Sequence, residues 1–194
     1  MHHAATEHSR RAQIIAAAND HFRQYGYAKT TVGDLARAVG FSTAYVYKFF
    51  ASKQAIGEAI CGLCLNRIAA DLQGVVGSAM SASERLRALF RLLSHHAREM
   101  TLRESRLREI VIAAHVERWQ VFVEHEATLR AALVRIVEDG RRLGEFERKT
   151  SLEETCRGIA LVLEPLRNPV LWTRRLDDDE ATALAALVLR SLVV

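Results

Sequence analysis

Four histidines and two cysteines are the residues whose types could do chemistry. His95-His96, His115 and His125 could hold a transition metal, and Cys61-Gly62-Leu63-Cys64 has the spacing of a redox or metal-binding pair. Neither set is complete. No HExxH occurs, no histidine follows a glutamate by three residues as a di-iron bundle requires, and no second CxxC completes a zinc set. The cysteine pair falls within a helical pattern, where two small apolar core residues or a thiol sensor both fit. GxSxG, GxGxxG and a phosphate loop ending in Gly-Lys are absent as well, so nucleophilic, dinucleotide and ATP chemistry have no support. No enzyme activity, cofactor or metal site is expected. A small helical enzyme or metal bundle built on these histidines and cysteines is the alternative.

Charge points elsewhere. Residues 1–57 hold seven basic side chains against three acids, a net +4. Of the chain's 27 basic and 23 acidic residues this leaves 20 of each for the remainder, so all the excess lies in the first third. Such asymmetry is expected where one module meets a polyanion, although four charges can also be a solvated surface.

The elements that carry this charge are helices. The composition, 49% hydrophobic with two prolines and ten glycines among 194 residues, favours an all-α fold. Ile14, Ile15, Ala18, Phe22 and Tyr25 recur at helical spacing and Gly26 closes that helix. Thr31 caps a short second helix, with Asp34 reaching back; Gly40 supplies a turn, and Ser42 caps a third helix over Thr43–Phe50. Two short helices joined through a glycine turn form a helix-turn-helix whose small core is Leu35, Ala36, Val39, Val46 and Phe50.

A long fourth helix starts at Ser52-Lys53 and runs through Leu72, followed by a loop over 74–83 and a capping box at Ser81–Glu84. Helical segments follow at about 104–119 and 121–139, with Gly140 as a stop. Another helix, capped at Thr150-Ser151, is interrupted by Pro165 and Pro169. Asp177–Glu180 opens a last helix rich in Ala, Leu and Val, which is buried against a partner or in its own subunit's core.

The stretch from Ile14 to Ile60 resembles the DNA-binding domain of TetR-family transcriptional regulators. The match is carried by Ile14, Ala17, Phe22, Gly26, Thr30-Thr31-Val32, Leu35-Ala36, Val39-Gly40, Ser42, Tyr47, Phe49-Phe50 and Ser52–Ile56. Gly140, Gly144 and Phe146 resemble a loop before the penultimate helix of such proteins. The resemblance implies an all-α homodimer. Residues 1–52 would form a three-helix DNA-binding domain with the helix-turn-helix, and residues 53–194 a helical effector-binding and dimerisation domain. The subunits would pair through the last two helices, roughly 151–164 and 178–193. The partners implied are double-stranded DNA with a palindromic operator, a second copy of the chain and a small-molecule effector; the activity implied is that of a repressor.

In this arrangement the third helix enters the major groove, and Thr43, Ala44, Tyr45 and Lys48 are candidates to touch base edges. Tyr45 can read a base, meet a phosphate or simply pack. By the resemblance, Tyr47 and Lys53 hold phosphates, with a structural ring under the turn as the alternative for Tyr47. Thr31 caps its helix, touches a phosphate, or both, and Ser42 joins the candidate DNA-binding set at the start of the third helix. Thr43, Ala44 and Tyr45 depart from the residues many relatives carry there, so the operator sequence does not transfer. Phe90, Trp119, Phe122, Leu166 and Trp172, with His95, His96, His115 and Arg167, could line an effector cavity or serve as ordinary core.

The longest charge-free stretch, Leu72 to Ser83, is 12 residues, against about 18 for a membrane span, and the N-terminus lacks the apolar core of an export signal. A cytoplasmic protein without membrane attachment is expected.

Overall fold

The computed structural model describes residues 2–102, 106–172 and 178–193, with side chains from residue 6 onward. The helices are α1 (His2–Tyr25), α2 (Val32–Ala38), α3 (Thr43–Val46), α4 (Lys53–Val76), α5 (Ala82–Leu102), α6 (Leu107–Val116), α7 (Gln120–Arg142), α8 (Leu152–Arg167) and α9 (Asp178–Leu192), with a 3-10 turn at Pro169–Leu171. The fold is all-α, as composition and periodicity require.

Several helix ends follow their expected caps. Thr31 and Asp34 form a capping box at α2, Ser42 accepts from the Tyr45 N–H at α3, and Ser151 with Glu154 forms a second box at α8. Ser81 and Glu84 pair reciprocally before α5. Gly26 and Gly40 adopt φ +85° and +71°, ending α1 and the α2 turn.

Other boundaries differ from expectation. The third helix is a single four-residue turn, because after Val46 the bonding tightens: the Lys48 and Phe49 amides bond to the carbonyls three residues back. α4 continues to Val76 before Gly77 ends it. Gly140 is no helix stop. α7 runs to Arg142, the chain reverses at Gly144 with φ +78°, and the Phe146 ring folds back onto Gly140, where an added Cβ would lie 2.3 Å from Cδ2. Pro165 does not break α8, whose Leu163 and Leu166 are buried on either side of it; the helix ends at Asn168, and Pro169 begins the 3-10 turn. Tyr25, expected on the apolar face of α1, is exposed. The sixth helix begins at Leu107, and the expected starts at Glu104 and Asp177 lie outside the described residues.

Two apolar clusters hold the chain. One joins α5, α7, α8 and α9 around Leu86, Leu89, Phe90, Leu133, Ile136, Phe146 and Leu189. A buried Arg85–Asp139 pair at 2.9 Å ties α5 to α7 there, and the Arg85 guanidinium holds the Asp139 carboxyl down at about 2. The Glu145 carboxylate, delivered by the reversal at Gly144, accepts from the Ala82 and Ser83 amides and closes the start of α5. The other cluster unites α1, α2 and α3 with α4, α6, Trp119, Phe122 and Trp172.

α4 has 24 residues and an 18-residue stretch of mean hydropathy 1.3, long and apolar enough to cross a membrane by composition, unlike the estimate from charge-free length. Its Ile56, Ile60, Cys61, Leu65 and Leu72 face the chain's own core, and Glu58, Arg67 and Asp71 punctuate it.

The Phe146 seat gives a direct expectation. Gly140→Ala forces the ring out of its site and lowers stability by about 1–3 kcal/mol, read as a lower urea midpoint; an unchanged midpoint contradicts this packing.

Candidate nucleic-acid interface and adjoining cavity

α2 and α3 are too short to hold themselves. Val32, Leu35 and Ala36 from α2, and Val46 and Phe50 from α3 and the turn after it, are buried beneath Ile14, Ala18 and Phe22 of α1; Val39 is half-buried beside them. α1 also grips the module from outside. The Arg11 guanidinium donates to the Phe49 carbonyl at 2.8 Å and lies 4.1 Å over the Phe50 ring, while Arg10 lies 5.3 Å over Phe41. No local spacing on α1 shows which later turn these two arginines meet.

This packing turns one face of α3 outward. Thr43, Ala44, Tyr47 and Lys48 are exposed, as a helix places residues i, i+1, i+4 and i+5 when i+3 points inward, and exposed Ser42 precedes them. Exposed Tyr47 does not sit under the turn. Tyr45 flanks this face half-buried, its ring edge-on between Phe41 (5.0 Å) and Phe49 (5.2 Å), with Lys48 Nζ 5.6 Å from its centre. α2 begins beside α3: a Cβ at Gly33 would be 3.6 Å from Thr31 Oγ1 and 3.8 Å from Thr43 Oγ1. Thr31 is committed locally, its N–H and hydroxyl both donating to the Asp34 carboxylate (2.9 and 2.6 Å), which these bonds hold below the usual carboxylate range.

Lys53 stands apart from that face. Its ammonium donates to the Tyr27 carbonyl at 3.0 Å and lies 4.4 Å over the Tyr27 ring, fixing the start of α4 to the loop after α1. Two of its three donors remain for another acceptor. Tyr27 lies edge-on to Phe22 and Trp119, and burial raises its phenol to about 12. Arg37, exposed at the end of α2, is a further cation near the module, with an ion pair to Asp34 at 3.5 Å.

Behind this module lies a cavity of about 140 Å³ between α4, α5, α6, α7 and α8. Its wall includes Leu65, Ile68, Leu93, Phe122, Leu166 and Trp172, with His96, His125, Arg167 and Cys64 as polar or polarizable members. Of the residues expected around an effector, Phe122, Leu166, Trp172, His96 and Arg167 converge here. Phe90 is buried in the other cluster, Trp119 packs under the first helices, His95 is exposed and His115 lies against the Phe122 ring away from the wall. Sequence reasoning missed several wall residues, among them Leu65, Ile68, Leu93 and Cys64, and it weighed His125 only as a metal ligand. Cys61 is buried, and burial first, then Cys64 and Glu58, pushes its thiol up to about 12, so it is no thiolate at neutral pH.

Burial brings the His125 imidazole down to about 4. An unfolded histidine titrates near 6.5, so between these values the unfolded chain holds a proton that the folded chain does not. Stability therefore falls by up to about 3 kcal/mol as pH drops from 6.5 towards 4. His125→Phe flattens that part of the stability curve, and an equal slope in both proteins contradicts it.

Comparison with known proteins accords with this geometry. The family described as bacterial regulatory proteins, tetR family, matches residues 14–60, and the tetracyclin repressor-like C-terminal domain matches residues 82–188. No curated protein matches significantly. Among solved structures, a TetR/AcrR-family regulator from Thermobifida fusca is 23% identical, with 93% of this chain and 97% of that one covered, at a TM-score of 0.69. PfmR from Thermus thermophilus is 26% identical over 91% and 97%, TM-score 0.62. FadR from Thermus thermophilus, a transcriptional repressor in complex with lauroyl-CoA, is 22% identical over 95% of each chain, TM-score 0.63. Two family models along one all-helical chain, one spanning more than half of it, leave a single assignment: the chain belongs to the TetR family of DNA-binding transcription regulators and is not an enzyme.

Proposed function

We propose that the protein is a homodimeric repressor that reads a palindromic operator and whose affinity for it is set by a small molecule in the α4–α8 cavity. The observation that carries this reading is the exposed face of α3 standing on the same apolar cluster that forms part of the cavity wall, through Cys61, Leu65, Val111, Phe122 and Trp172. Residues 1–52 do the reading; residues 53–194 bind the effector and dimerise, although the core itself crosses that division.

Thr43, Ala44, Tyr45 and Lys48 set sequence choice. Lys48 suits guanine O6 and N7 or a phosphate, the Ala44 methyl suits thymine, and the Thr43 hydroxyl suits either kind of edge. Ser42, Tyr47, Lys53 and Thr31 hold the phosphate backbone and so set affinity rather than choice. For Thr31 this requires its hydroxyl to exchange Asp34 for a phosphate.

Pairing through α8 and α9 is supported by their outward Leu161 (69% exposed) and Leu187 (56%), large apolar side chains left mostly uncovered by the described residues. The dimer would place two α3 helices about 34–36 Å apart, one turn of duplex. Coupling of about 1–3 kcal/mol between cavity and operator changes affinity roughly 5- to 150-fold, enough for a switch. Such a regulator works where the DNA lies, in the cytoplasm.

Selection from a randomised duplex pool at two salt concentrations tests the reading. A two-fold symmetric site should be enriched. Lys53→Ala should weaken binding to every duplex alike and lower the salt slope by about 1, whereas Tyr45→Ala should change the preferred site. Enrichment of no sequence, with only weak salt-sensitive binding, contradicts the proposal.

A further inference from the structure

We propose that the cavity takes an uncharged single-ring molecule carrying one hydroxyl, a phenol, with its ring against the apolar wall and its hydroxyl bridging His96 and His125. The inference deepens the effector reading above and rests on it for its regulatory meaning.

Size and lining select the body of the ligand. A volume of about 140 Å³ walled by Leu65, Ile68, Leu93, Phe122 and Leu166 is close to the roughly 150 Å³ at which an apolar protein cavity accepts benzene.

The two imidazoles select its polar group. His96 Nε2 lies 3.2 Å from Asp71 Oδ2. A carboxylate only accepts, so Nε2 carries the proton and Nδ1 of the neutral ring keeps a lone pair. His125 has the opposite constraint. Its Nδ1 is buried without any hydrogen-bond partner, so a proton there would be left unmatched, and the neutral ring holds it on Nε2 instead. Burial keeps both rings neutral, lowering the affinity of each for a second proton. One wall thus offers an acceptor and a donor, and a hydroxyl supplies the complement of both.

An anionic end group fits less well. A carboxylate has no proton for His96 and would approach the Asp71 charge behind it. Arg167 does not compensate, because its two terminal nitrogens pair with Glu126, at 3.3 Å, and Glu164, and its Nε, although without a hydrogen-bond partner, is sealed from the cavity. The other two wall arginines, Arg23 and Arg67, are exposed residues rather than interior groups.

The test is a titration of the full-length protein, free of DNA, with phenol, benzene, anisole and benzoate, following tryptophan fluorescence through Trp172 in the wall. Phenol should bind at least about tenfold more tightly than each of the others, anisole failing because its oxygen accepts but cannot donate. In His125→Phe the advantage of phenol over benzene should vanish. Benzoate binding as tightly as phenol, no saturable phenol binding, or an unchanged phenol-to-benzene ratio in the variant overturns the inference. Should the variant not fold, the ranking of the four probes on the unaltered protein decides alone. Because no DNA is present, a correct ranking without any phenol effect on operator binding would overturn the regulatory reading and leave the ligand assignment standing.

Discussion

The close approach of Trp119 to Gly57 is the contact on which the arrangement of this chain depends. The indole is buried with Cζ3 2.9 Å from where a Cβ at position 57 would be, and the Tyr27 ring comes within 3.3 Å of the same point. A glycine inside a helix costs about 1 kcal/mol relative to alanine. Here it lets three elements meet: α4, the start of α7 and the loop after α1. Tyr27 then lies edge-on to Trp119 on one side and Phe22 on the other, and Lys53 closes the corner through the Tyr27 carbonyl.

The consequence is mechanical. The helix-turn-helix has no separate hinge to the rest of the chain, because its core continues into α4 and α6 and to Phe122 and Trp172 at the cavity. A second tie runs beside it, where Arg106 donates to the Gln24 carbonyl and Glu109 lies against Gly26 at the end of α1. Close-packed side chains transmit displacement rather than absorb it. A molecule that alters the spacing of α4, α6 and α7 therefore bears on the seat of α1 to α3, which is the physical requirement for coupling between two sites.

Much of this was legible in the sequence, for identifiable reasons. Caps at Thr31, Ser42 and Ser151 depend on residues three apart, and the buried stripe Ile14, Ala18 and Phe22 of α1 depends on period 3.6, so local rules suffice. Val46 and Phe50 were legible as core, but the choice of Thr43, Ala44, Tyr45 and Lys48 rested on the resemblance, and Tyr45 is half-buried beside the exposed face. What escaped is non-local. Gly140 has the look of a helix end until Phe146 is found folded upon it, and Pro165 the look of a break until the burial of Leu163 and Leu166 is counted against it. Arg10 and Arg11 have the pattern of solvated charge, and only the tertiary fold brings Phe41, Phe49 and Phe50 beneath them. His125 stood out only as a possible metal ligand, since nothing in its spacing distinguishes a cavity wall from a surface position. The division at residue 52 is what the resemblance implies and the charge asymmetry was counted to residue 57, whereas the core shared across both is a property of packing.

The claim that reading head and cavity stand on one core is tested most directly by native-state hydrogen exchange on Gly57→Ala beside the unaltered chain. A Cβ there must push Trp119 and Tyr27 apart. If the account is right, amides of α2 and α3 lose protection together with those of α4 and α6, by a similar factor, although residue 57 lies in neither α2 nor α3. Loss confined to α4 and the start of α7, with α2 and α3 as protected as before, would contradict it and show the helix-turn-helix to be an independent unit.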